Sequence, residues 1–212
     1  DYSDYDLVFR TPGIRPDRLE NADILTSATI EFFKHCPAPI IGVTGTKGKG
    51  TTATLAANVL RADNKQVHLV GNIGTPALDE LPNINADDIV VFELSSFQLW
   101  DMKVSPHVAV VLAIGVDHLD VHKDLEEYVN AKANMALHQN TDDTVIYLPS
   151  KVSGNNIAER SNANKLAYFE KSDGTWVDGD KIMLGDEVLM RTEEVGLVGP
   201  HNLQNICAAI TA

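Results

Sequence analysis

The sequence predicts an α/β protein with a mainly parallel, doubly wound sheet and a small antiparallel hairpin ribbon near the C-terminal end. Three observations support this fold class. From residue 38 onward, short apolar runs alternate with helical patterns, as expected when helices connect parallel strands. Residues 107–114 are nearly all apolar and β-branched, which is typical of a strand covered on both faces. Asp-Gly and Gly-Asp turns recur between short apolar runs in residues 175–197, which indicates antiparallel hairpins.

The chain is predicted to contain one domain and part of another. Residues 1–37 are too short to bury a hydrophobic core alone, so we interpret them as the tail of a preceding domain and a linker. The central domain is assigned to residues 38–212.

Apolar periodicity and turn residues place the individual elements. Ser27 is a predicted N-cap, because its hydroxyl can accept a hydrogen bond from the first turn of the following helix. The predicted strands are residues 6–10, 24–26, a run from 40, 66–70, 88–93, 107–114, 144–148, 166–169, 176–177, 182–184 and 188–190. The predicted helices are residues 28–35, 53–60, a short one from 75, 125–139, one that includes 157–160, and 201–212.

Composition limits the classes of function. With 44% hydrophobic and 22% charged residues, the chain is typical of soluble globular proteins, and no apolar run is long enough to cross a bilayer. Cys36 and Cys207 lie far apart, which predicts no disulfide framework and fits a reducing cytoplasm. The net charge of −13 argues against a nucleic-acid surface. Composition therefore favours a cytoplasmic protein without a nucleic-acid partner or membrane insertion, and we further expect a monomer whose partners are small molecules.

A glycine-rich turn, residues 44–52 (TGTKGKGTT), follows the first strand of the central domain. Glycines let backbone N–H groups approach a polyphosphate, Lys49 would reach its outer phosphates, and Thr51 or Thr52 could offer a hydroxyl to Mg²⁺. The spacing is shorter than the usual GxxxxGK[ST], and the alternative is an ordinary turn with solvated lysines. A motif with this many glycines, lysines and threonines directly after a strand favours nucleotide binding over an ordinary turn. The predicted nucleotide-binding residues are Gly45, Thr46, Lys47, Gly48, Lys49, Gly50, Thr51 and Thr52.

Ionisable side chains follow two further predicted strands. Glu93 ends one strand, and Asp117 and His118 closely follow another. Ligands bind at the carboxyl ends of strands in open α/β sheets, so these groups are candidates for a metal–phosphate centre. The alternatives are a glutamate that caps the next turn and a solvated acidic loop. For His122 the pattern favours a solvated residue.

A lysine falls on an apolar helix face. On the helix predicted from residue 125, the inward stripe is Leu125, Tyr128, Lys132, Met135 and Ala136. A desolvated neutral lysine can react with CO₂ to form a carbamate that would meet Mg²⁺. From the pattern alone, we favour a Lys132 that extends its amine to solvent or pairs with an aspartate of residues 117–120.

Two asparagines open the last predicted helix. Asn202 and Asn205 lie three residues apart, on one helix face, where their carboxamides could contact a base. From the pattern alone, N-capping by Asn202 is the favoured interpretation.

These stretches together resemble the Mur ligase family, the ATP-dependent amide ligases of peptidoglycan precursor synthesis. The resemblance covers nearly the whole chain, and residues 71–74 and 93–99 are most specific for the members that add D-glutamate. The matching segments are residues 11–14, 44–49, 71–78, 93–99, 117–120, 128–132 and 201–205.

The resemblance implies an activity and roles for individual residues. The activity is ligation of D-glutamate to UDP-N-acetylmuramoyl-L-alanine with ATP, through an acyl phosphate. Residues 1–37 would end a uridine-nucleotide domain, and this chain, without the C-terminal domain, would be inactive alone. The implied catalytic residues are Lys49, Glu93, His118 and Lys132, and the implied ligands of two Mg²⁺ ions are Thr51, Glu93, His118 and a carbamylated Lys132. The muramoyl substrate would be bound by Asn72, Ser95, Gln98 and His118. Adenine would be contacted by Asn202 and Asn205.

Two departures from the family pattern keep other functions open. Gly50 stands where Ser or Thr is usual, as in the related folylpolyglutamate synthases, which moves the predicted hydroxyl ligand to Thr51. Residues 113–116 lack the asparagine that usually precedes Asp117 and His118. The alternatives are a folylpolyglutamate synthase-like ligase and a non-catalytic ATP-binding module.

Overall fold

The computed structural model describes residues 2, 4–22 and 24–212. In chain order, the strands are β1 (Val8–Arg10), β2 (Leu25–Ser27), β3 (Ile40–Thr44), β4 (Val67–Gly71), β5 (Ile89–Glu93), β6 (Val108–Val111), β7 (Thr144–Tyr147), β8 (Asn164–Ala167), β9 (Thr175–Asp178), β10 (Lys181–Leu184) and β11 (Glu187–Arg191). The helices are α1 (Ala28–His35), α2 (Lys49–Ala62), α3 (Ala77–Glu80), α4 (Ser96–Leu99), α5 (Leu125–Leu137), α6 (Val152–Arg160) and α7 (His201–Thr211).

A six-stranded parallel sheet lies at the centre, in the order β4-β5-β3-β6-β7-β8. β1 and β2 form a separate parallel pair, and β9, β10 and β11 form an antiparallel ribbon. The predicted fold class is therefore confirmed. β3 lies between β5 and β6, so the chain crosses from one side of β3 to the other after β5. Open α/β sheets bind ligands at such a change in strand order.

Helices cover both faces of the parallel sheet because successive strand residues point to opposite sides. Ile40 of β3 joins a core that contains Met135 of α5. The next residue, Ile41, joins a second core with Ala53 of α2 and Ala208 of α7. Each core is formed by apolar side chains from one side of the sheet.

A glycine in the middle of β3 allows α5 to approach the sheet closely. A Cβ at Gly42 would lie 2.7 Å from Met135 Cε and 2.8 Å from Pro106 Cγ. Lys132 lies on the same helix, one turn before Met135. The absence of a side chain at Gly42 therefore leaves room for Met135, on the helix that carries Lys132.

Most predicted elements are present, with shifted ends. Ser27 caps α1 as predicted, and its Oγ accepts a hydrogen bond from Ile30 N at 3.2 Å. α2 begins at Lys49, four residues before the predicted start. On α5 the predicted inward stripe is correct except at its first residue, because Leu125 is 41% exposed.

The N-terminal segment packs onto the main sheet through α1. Phe32 is fully buried, and its ring centre lies 5.3 Å from that of Phe92 of β5, edge to face. The domain boundary at residue 37 stays a prediction.

A buried histidine connects β4 to two acidic side chains. His68 Nδ1 lies 2.7 Å from Glu80 Oε1, and His68 Nε2 lies 3.0 Å from Asp88 Oδ2. Burial alone would lower the pKa of His68, but the hydrogen bonds to Glu80 and Asp88 outweigh it, so the pKa is raised. Protonated His68 therefore joins the end of α3 and the turn before β5 to the sheet.

Replacing His68 by glutamine is expected to lower the free energy of unfolding at pH 6 by about 1–3 kcal/mol. A raised pKa in the folded state means that the contribution is complete below about pH 6.5, the ordinary value for histidine, and is lost as the pH rises through the folded-state pKa. Urea unfolding of the wild type and His68→Gln across this range measures the difference. Exposed His138 supplies the control substitution, His138→Gln. A destabilisation by His68→Gln that does not change with pH would contradict this account.

Candidate active site

The turn after β3 forms a concave loop of backbone at the start of α2. Gly45 and Gly48 adopt φ angles of +152° and +86°, a region that disfavours side chains. Lys49 is the first residue of α2, and its Nζ donates to Thr46 O at 3.2 Å. The unpaired N–H groups of the helix N-terminus therefore lie beside an ammonium group, an arrangement suited to binding an anion.

The two threonines that follow the loop differ in accessibility. Thr52 is fully buried, and its Oγ1 donates to Asn205 Oδ1 at 3.4 Å. Thr51 is only partly buried. Of the two hydroxyls that the sequence left open as metal ligands, that of Thr51 is the accessible one.

Glu93 ends β5 with a carboxylate oxygen that has no partner in the described part of the chain. Its side chain is buried, and Oε2 accepts no hydrogen bond there. A Cβ on Gly50 would lie 3.5 Å from Oε2, so the carboxylate faces the first turn of α2. Glu93 does not cap the next turn, because Ser95 is the N-cap of α4 and accepts a hydrogen bond from Gln98 N. A buried carboxylate oxygen without a donor is costly, and a bound cation would relieve that cost.

Lys132 is buried against the loop. It is 1% exposed, and its Nζ donates to Gly45 O at 2.9 Å and to Thr44 Oγ1 at 3.4 Å. The pattern-based interpretation, a lysine that reaches solvent or pairs with an aspartate of residues 117–120, is therefore wrong. The apolar face of α5 faces the sheet, and the amine reaches backbone instead of water.

The environment of Lys132 favours its neutral form. Burial lowers its pKa to about 7, and the positive charge of Lys49 acts in the same direction. The negative charges of Asp117 and Glu93 oppose this shift only in part. The amine of Lys132 is therefore largely neutral above pH 7.

An aromatic residue joins the loop to the predicted metal ligands. Tyr128 is buried; its hydroxyl lies 3.2 Å from Thr46 Oγ1, and Lys132 Nζ lies 4.8 Å from its ring centre. The ring centre of His118 lies 6.1 Å from the ring centre of Tyr128 and 5.0 Å from the ring centre of Phe97. The sequence placed Tyr128 on the inward face but assigned it no part in the site. Tyr128 lies four residues before Lys132 on α5, and this helical spacing was the sequence feature that could have identified it as part of the site.

The two histidines of the loop after β6 have opposite environments. His118 is exposed and adopts a left-handed backbone with a φ of +53°. His122, expected to be solvated, is 1% exposed, so that expectation is wrong. Its Nε2 lies 2.9 Å from Ser96 Oγ, and its ring stacks on Phe97 with centres 5.4 Å apart. Burial lowers the pKa of His122.

The predicted substrate residues cluster around the ends of β4 and β5. Asn72 is exposed and follows Gly71, which pairs with Glu93 across the two strands. Gln98 Oε1 accepts hydrogen bonds from Ser95 N and Ser95 Oγ, both at 2.9 Å. The side-chain oxygen of Gln98 is thus used within the capping box of α4, which leaves its side-chain NH₂ group for a ligand.

A cavity of about 600 Å³ opens beside the loop, on the side of α7. Its lining includes Lys47, Tyr168, His201, Gln204 and Asn205. The sequence had not marked Tyr168, His201 or Gln204 as binding residues, although the last two lie on the helix that carries Asn205.

Asn202 supports its neighbour and does not line this cavity. Asn202 Nδ2 donates to Val198 O at 2.8 Å, and Asn202 Oδ1 accepts from Asn205 Nδ2 at 3.0 Å. The interpretation of Asn202 as an N-cap is wrong, because Pro200 occupies that position. Asn205 is held by Asn202 and Thr52 together.

Several predicted site residues, from different chain segments, lie around the loop: Glu93, Lys132 and Asn205. The charges of Lys49 and Glu93 both act on the pKa of Lys132, and the rings of His118 and Tyr128 lie 6.1 Å apart, centre to centre, with Lys132 Nζ over the same tyrosine ring. Within residues 2, 4–22 and 24–212, no three His, Cys, Asp or Glu side chains converge on one metal position. A metal here would also need hydroxyl, phosphate or modified-lysine oxygens. In the same residues, no helix combines the length and apolar character needed to cross a membrane.

Comparison with known proteins gives consistent matches. Residues 43–212 match a family model described as the Mur ligase middle domain. The chain is 38% identical over 229 residues to a UDP-N-acetylmuramoylalanine–D-glutamate ligase of Clostridium kluyveri, covering 100% of this chain and 48% of that protein. A ligase of the same name from Clostridium novyi is 36% identical over 214 residues, covering 97% of this chain and 47% of that protein.

A solved structure supports the same fold. The crystal structure of MurF ligase from Thermotoga maritima in complex with ADP matches with a TM-score of 0.65 and 21% identity, covering 89% of this chain and 50% of that one. This chain spans about half the length of the curated relatives it matches.

Proposed function

The chain belongs to the Mur ligase family, and from this premise we propose that the intact protein uses ATP to join D-glutamate to UDP-N-acetylmuramoyl-L-alanine in the cytoplasm. Similarity to D-glutamate ligases over the whole chain supports the choice of substrates. The proposal rests chiefly on the buried Glu93 Oε2, which accepts no hydrogen bond from the described residues and faces the first turn of α2. This arrangement suits a phosphate–metal centre.

The loop and the neighbouring cavity would bind ATP. Lys49 and the N–H groups at the start of α2 would contact the outer phosphates. The cavity beside α7 would take the adenine, with Asn205 and Gln204 as hydrogen-bonding groups. Asn202 would act there by orienting Asn205.

Glu93 and Thr51 offer the oxygen donors that Mg²⁺ prefers, and His118 would add an imidazole nitrogen. We assign Thr51, Glu93, His118 and Lys132 to two such ions. Thr51 is preferred to Thr52 because its hydroxyl is not held by Asn205. Bound Mg²⁺ would neutralise charge on the phosphate oxygens during transfer.

Lys132 would join this set only after modification. Its nitrogen is mostly neutral above pH 7, so it can attack CO₂, form an N–C bond and release a proton. The resulting carbamate is an anion with two oxygens. It would be close to the carbonyl of Gly45, at the base of the phosphate loop.

The muramoyl substrate would approach along the ends of β4 and β5. Asn72 is exposed at the end of β4, His118 is exposed in the loop after β6, and Ser95 and Gln98 lie at the start of α4. These four residues would position the substrate carboxylate for attack on the γ-phosphate of ATP.

The proposed reaction has two steps. The substrate carboxylate attacks the γ-phosphorus, and ADP leaves to give an acyl phosphate. The amine of D-glutamate then attacks the acyl carbon, phosphate leaves, and loss of a proton completes the amide. This chain contributes mainly positive charge and geometry, with Lys49 against oxygens that gain charge at the transition state.

Two other functions receive less support. Gly50 suggests a folylpolyglutamate synthase-like ligase, but the relatives at 36–38% identity are named D-glutamate ligases. A non-catalytic ATP-binding module is the other alternative. The presence of Lys49, Glu93, His118 and Lys132 together favours a working enzyme over such a module.

Substrate-dependent phosphate release by the full-length protein tests these alternatives. With ATP and Mg²⁺, release is expected only when UDP-N-acetylmuramoyl-L-alanine and D-glutamate are both present. Release with a folate and L-glutamate instead would support the folylpolyglutamate branch. ATP binding without release in either mixture would support the binding module.

A further inference from the structure

The segment before α1 contacts the candidate site through two arginines that the proposed mechanism does not use. Arg10 is 2% exposed, and the side chain of Arg15 is 21% exposed. We propose that Arg15 is a positioning residue, which holds the turn that carries His118 and so maintains the side of the site that receives the muramoyl substrate. This inference rests on the proposed function.

Arg15 joins three parts of the central domain. Its Nη1 donates to Val121 O at 2.7 Å, and its Nη1 and Nη2 donate to the two carboxylate oxygens of Glu127 at 3.1 and 2.9 Å. Its Cζ lies 4.7 Å from the ring centre of Trp100. The planar guanidinium thus binds a carboxylate with two hydrogen bonds and lies over an aromatic ring, a combination that lysine cannot reproduce.

The contact with Val121 acts on His118 through the backbone. Val121 N and His122 N both donate to His118 O, at 3.1 and 2.9 Å. His118 itself has a φ of +53°, which is unfavourable for a residue with a side chain and needs support from its surroundings. The carbonyl of Val121 accepts a hydrogen bond from Arg15, and this contact stabilises the turn that begins at His118.

The contact with Glu127 supports the same turn from α5. Glu127 Oε2 also accepts from Lys123 N at 2.7 Å, and it lies 3.6 Å from His122 Nδ1. Hydrogen bonding to Arg15 is the largest cause of the lowered pKa of Glu127, so this carboxylate is ionised at neutral pH. Arg15 therefore holds both ends of the segment between His118 and α5.

The backbone of Arg15 is itself anchored. Buried Arg10 donates to Asp101 Oδ2 at 2.8 Å, to Phe97 O at 3.0 Å and to Ile14 O at 2.9 Å. Ile14 directly precedes Arg15, so the buried arginine fixes the base from which Arg15 extends.

The effect of losing Arg15 is expected in substrate binding more than in folding. Ion pairs near the surface contribute little to stability. A turn that holds a substrate-contacting side chain is more sensitive, because small displacements of such groups reduce productive binding strongly. The nucleotide loop is built by β3 and α2, which Arg15 does not contact through any hydrogen bond of the described residues.

The test uses the full-length protein and three variants, Arg15→Ala, Arg15→Lys and Arg18→Ala. Arg18 is exposed on the same segment and serves as the matched control. In phosphate-release assays, Arg15→Ala is expected to raise the KM for UDP-N-acetylmuramoyl-L-alanine about tenfold, and to raise the KM for ATP by less. Arg15→Lys should recover only part of the loss, and Arg18→Ala should match the wild type.

The outcomes separate this inference from other causes. A normal KM for the muramoyl substrate in Arg15→Ala, whatever the change in Vmax, would overturn the proposal. If Arg15→Ala does not fold, Arg15→Lys decides by the same KM criterion. A wild type that releases no phosphate with the muramoyl substrate and D-glutamate would contradict the proposed function itself, and this inference with it.

Discussion

Replacement of Lys49 by alanine is expected to lower the kcat of the full-length protein by at least about a thousandfold. Lys49 begins α2, and its Nζ lies within the loop, 3.2 Å from Thr46 O. Phosphoryl transfer depends mainly on positioning and on neutralising charge, so loss of this ammonium removes a large part of the stabilisation of the transition state. Steady-state phosphate release with saturating muramoyl substrate and D-glutamate measures the effect.

The matched control is Lys65→Ala, a lysine beyond the opposite end of the same helix. Lys65 is exposed, and its Nζ lies 4.0 Å from Asp63 Oδ2 in a surface ion pair. Its loss should leave kcat within about twofold of the wild type, as is usual for surface substitutions. Near-normal turnover by Lys49→Ala would refute the assignment of the phosphate loop.

Replacement of Lys132 by methionine is expected to abolish turnover and yet leave the melting temperature unchanged or raised. The buried amine is costly to hold in its charged form, and methionine fills a similar volume without a charge. Activity would be lost because neither an amine nor a carbamate would remain near Gly45. Thermal unfolding and phosphate release on the same preparation check both parts.

The pH dependence of stability gives an independent check on Lys132. Its folded-state pKa of about 7 lies below the ordinary lysine value of about 10.4, so the unfolded chain binds more protons between these values. This group therefore makes the wild type more stable as the pH rises through that window. Urea unfolding should show that Lys132→Met lacks this increase. A destabilised variant that keeps its activity would contradict the account of Lys132.

The sheet and its helices were predictable because their patterns are local. Alternating apolar runs placed β5 and β7 to within a residue or two, and the hydroxyl of Ser27 marked the start of α1. The start of α2 was not predictable in this way. Glycine disfavours helices, yet the residues from Lys49 onward are helical because the sheet and α7 hold the loop in place.

The site was predictable in composition but not in arrangement. Lys49 and Glu93 followed from their positions at a loop and a strand end. The burial of Lys132 and His122 depends on how α4, α5 and the loop after β6 pack together, which no local pattern reports. Arg15 was missed for the same reason, because its partner Glu127 lies 112 residues further along the chain.

Gly42 of β3 packs against Met135, which lies on the same helix as Lys132. A Cβ at this position would lie 2.7 Å from Met135 Cε and 2.8 Å from Pro106 Cγ, so a larger residue would require the Met135 side chain and the Pro106 ring to shift. Met135 lies on the helix that carries Lys132, whose Nζ is 2.9 Å from Gly45 O, so the side-chain packing at Gly42 adjoins the helix that positions this amine. The space available at a core position that lies outside the proposed site therefore bears on the packing of the helix that holds Lys132.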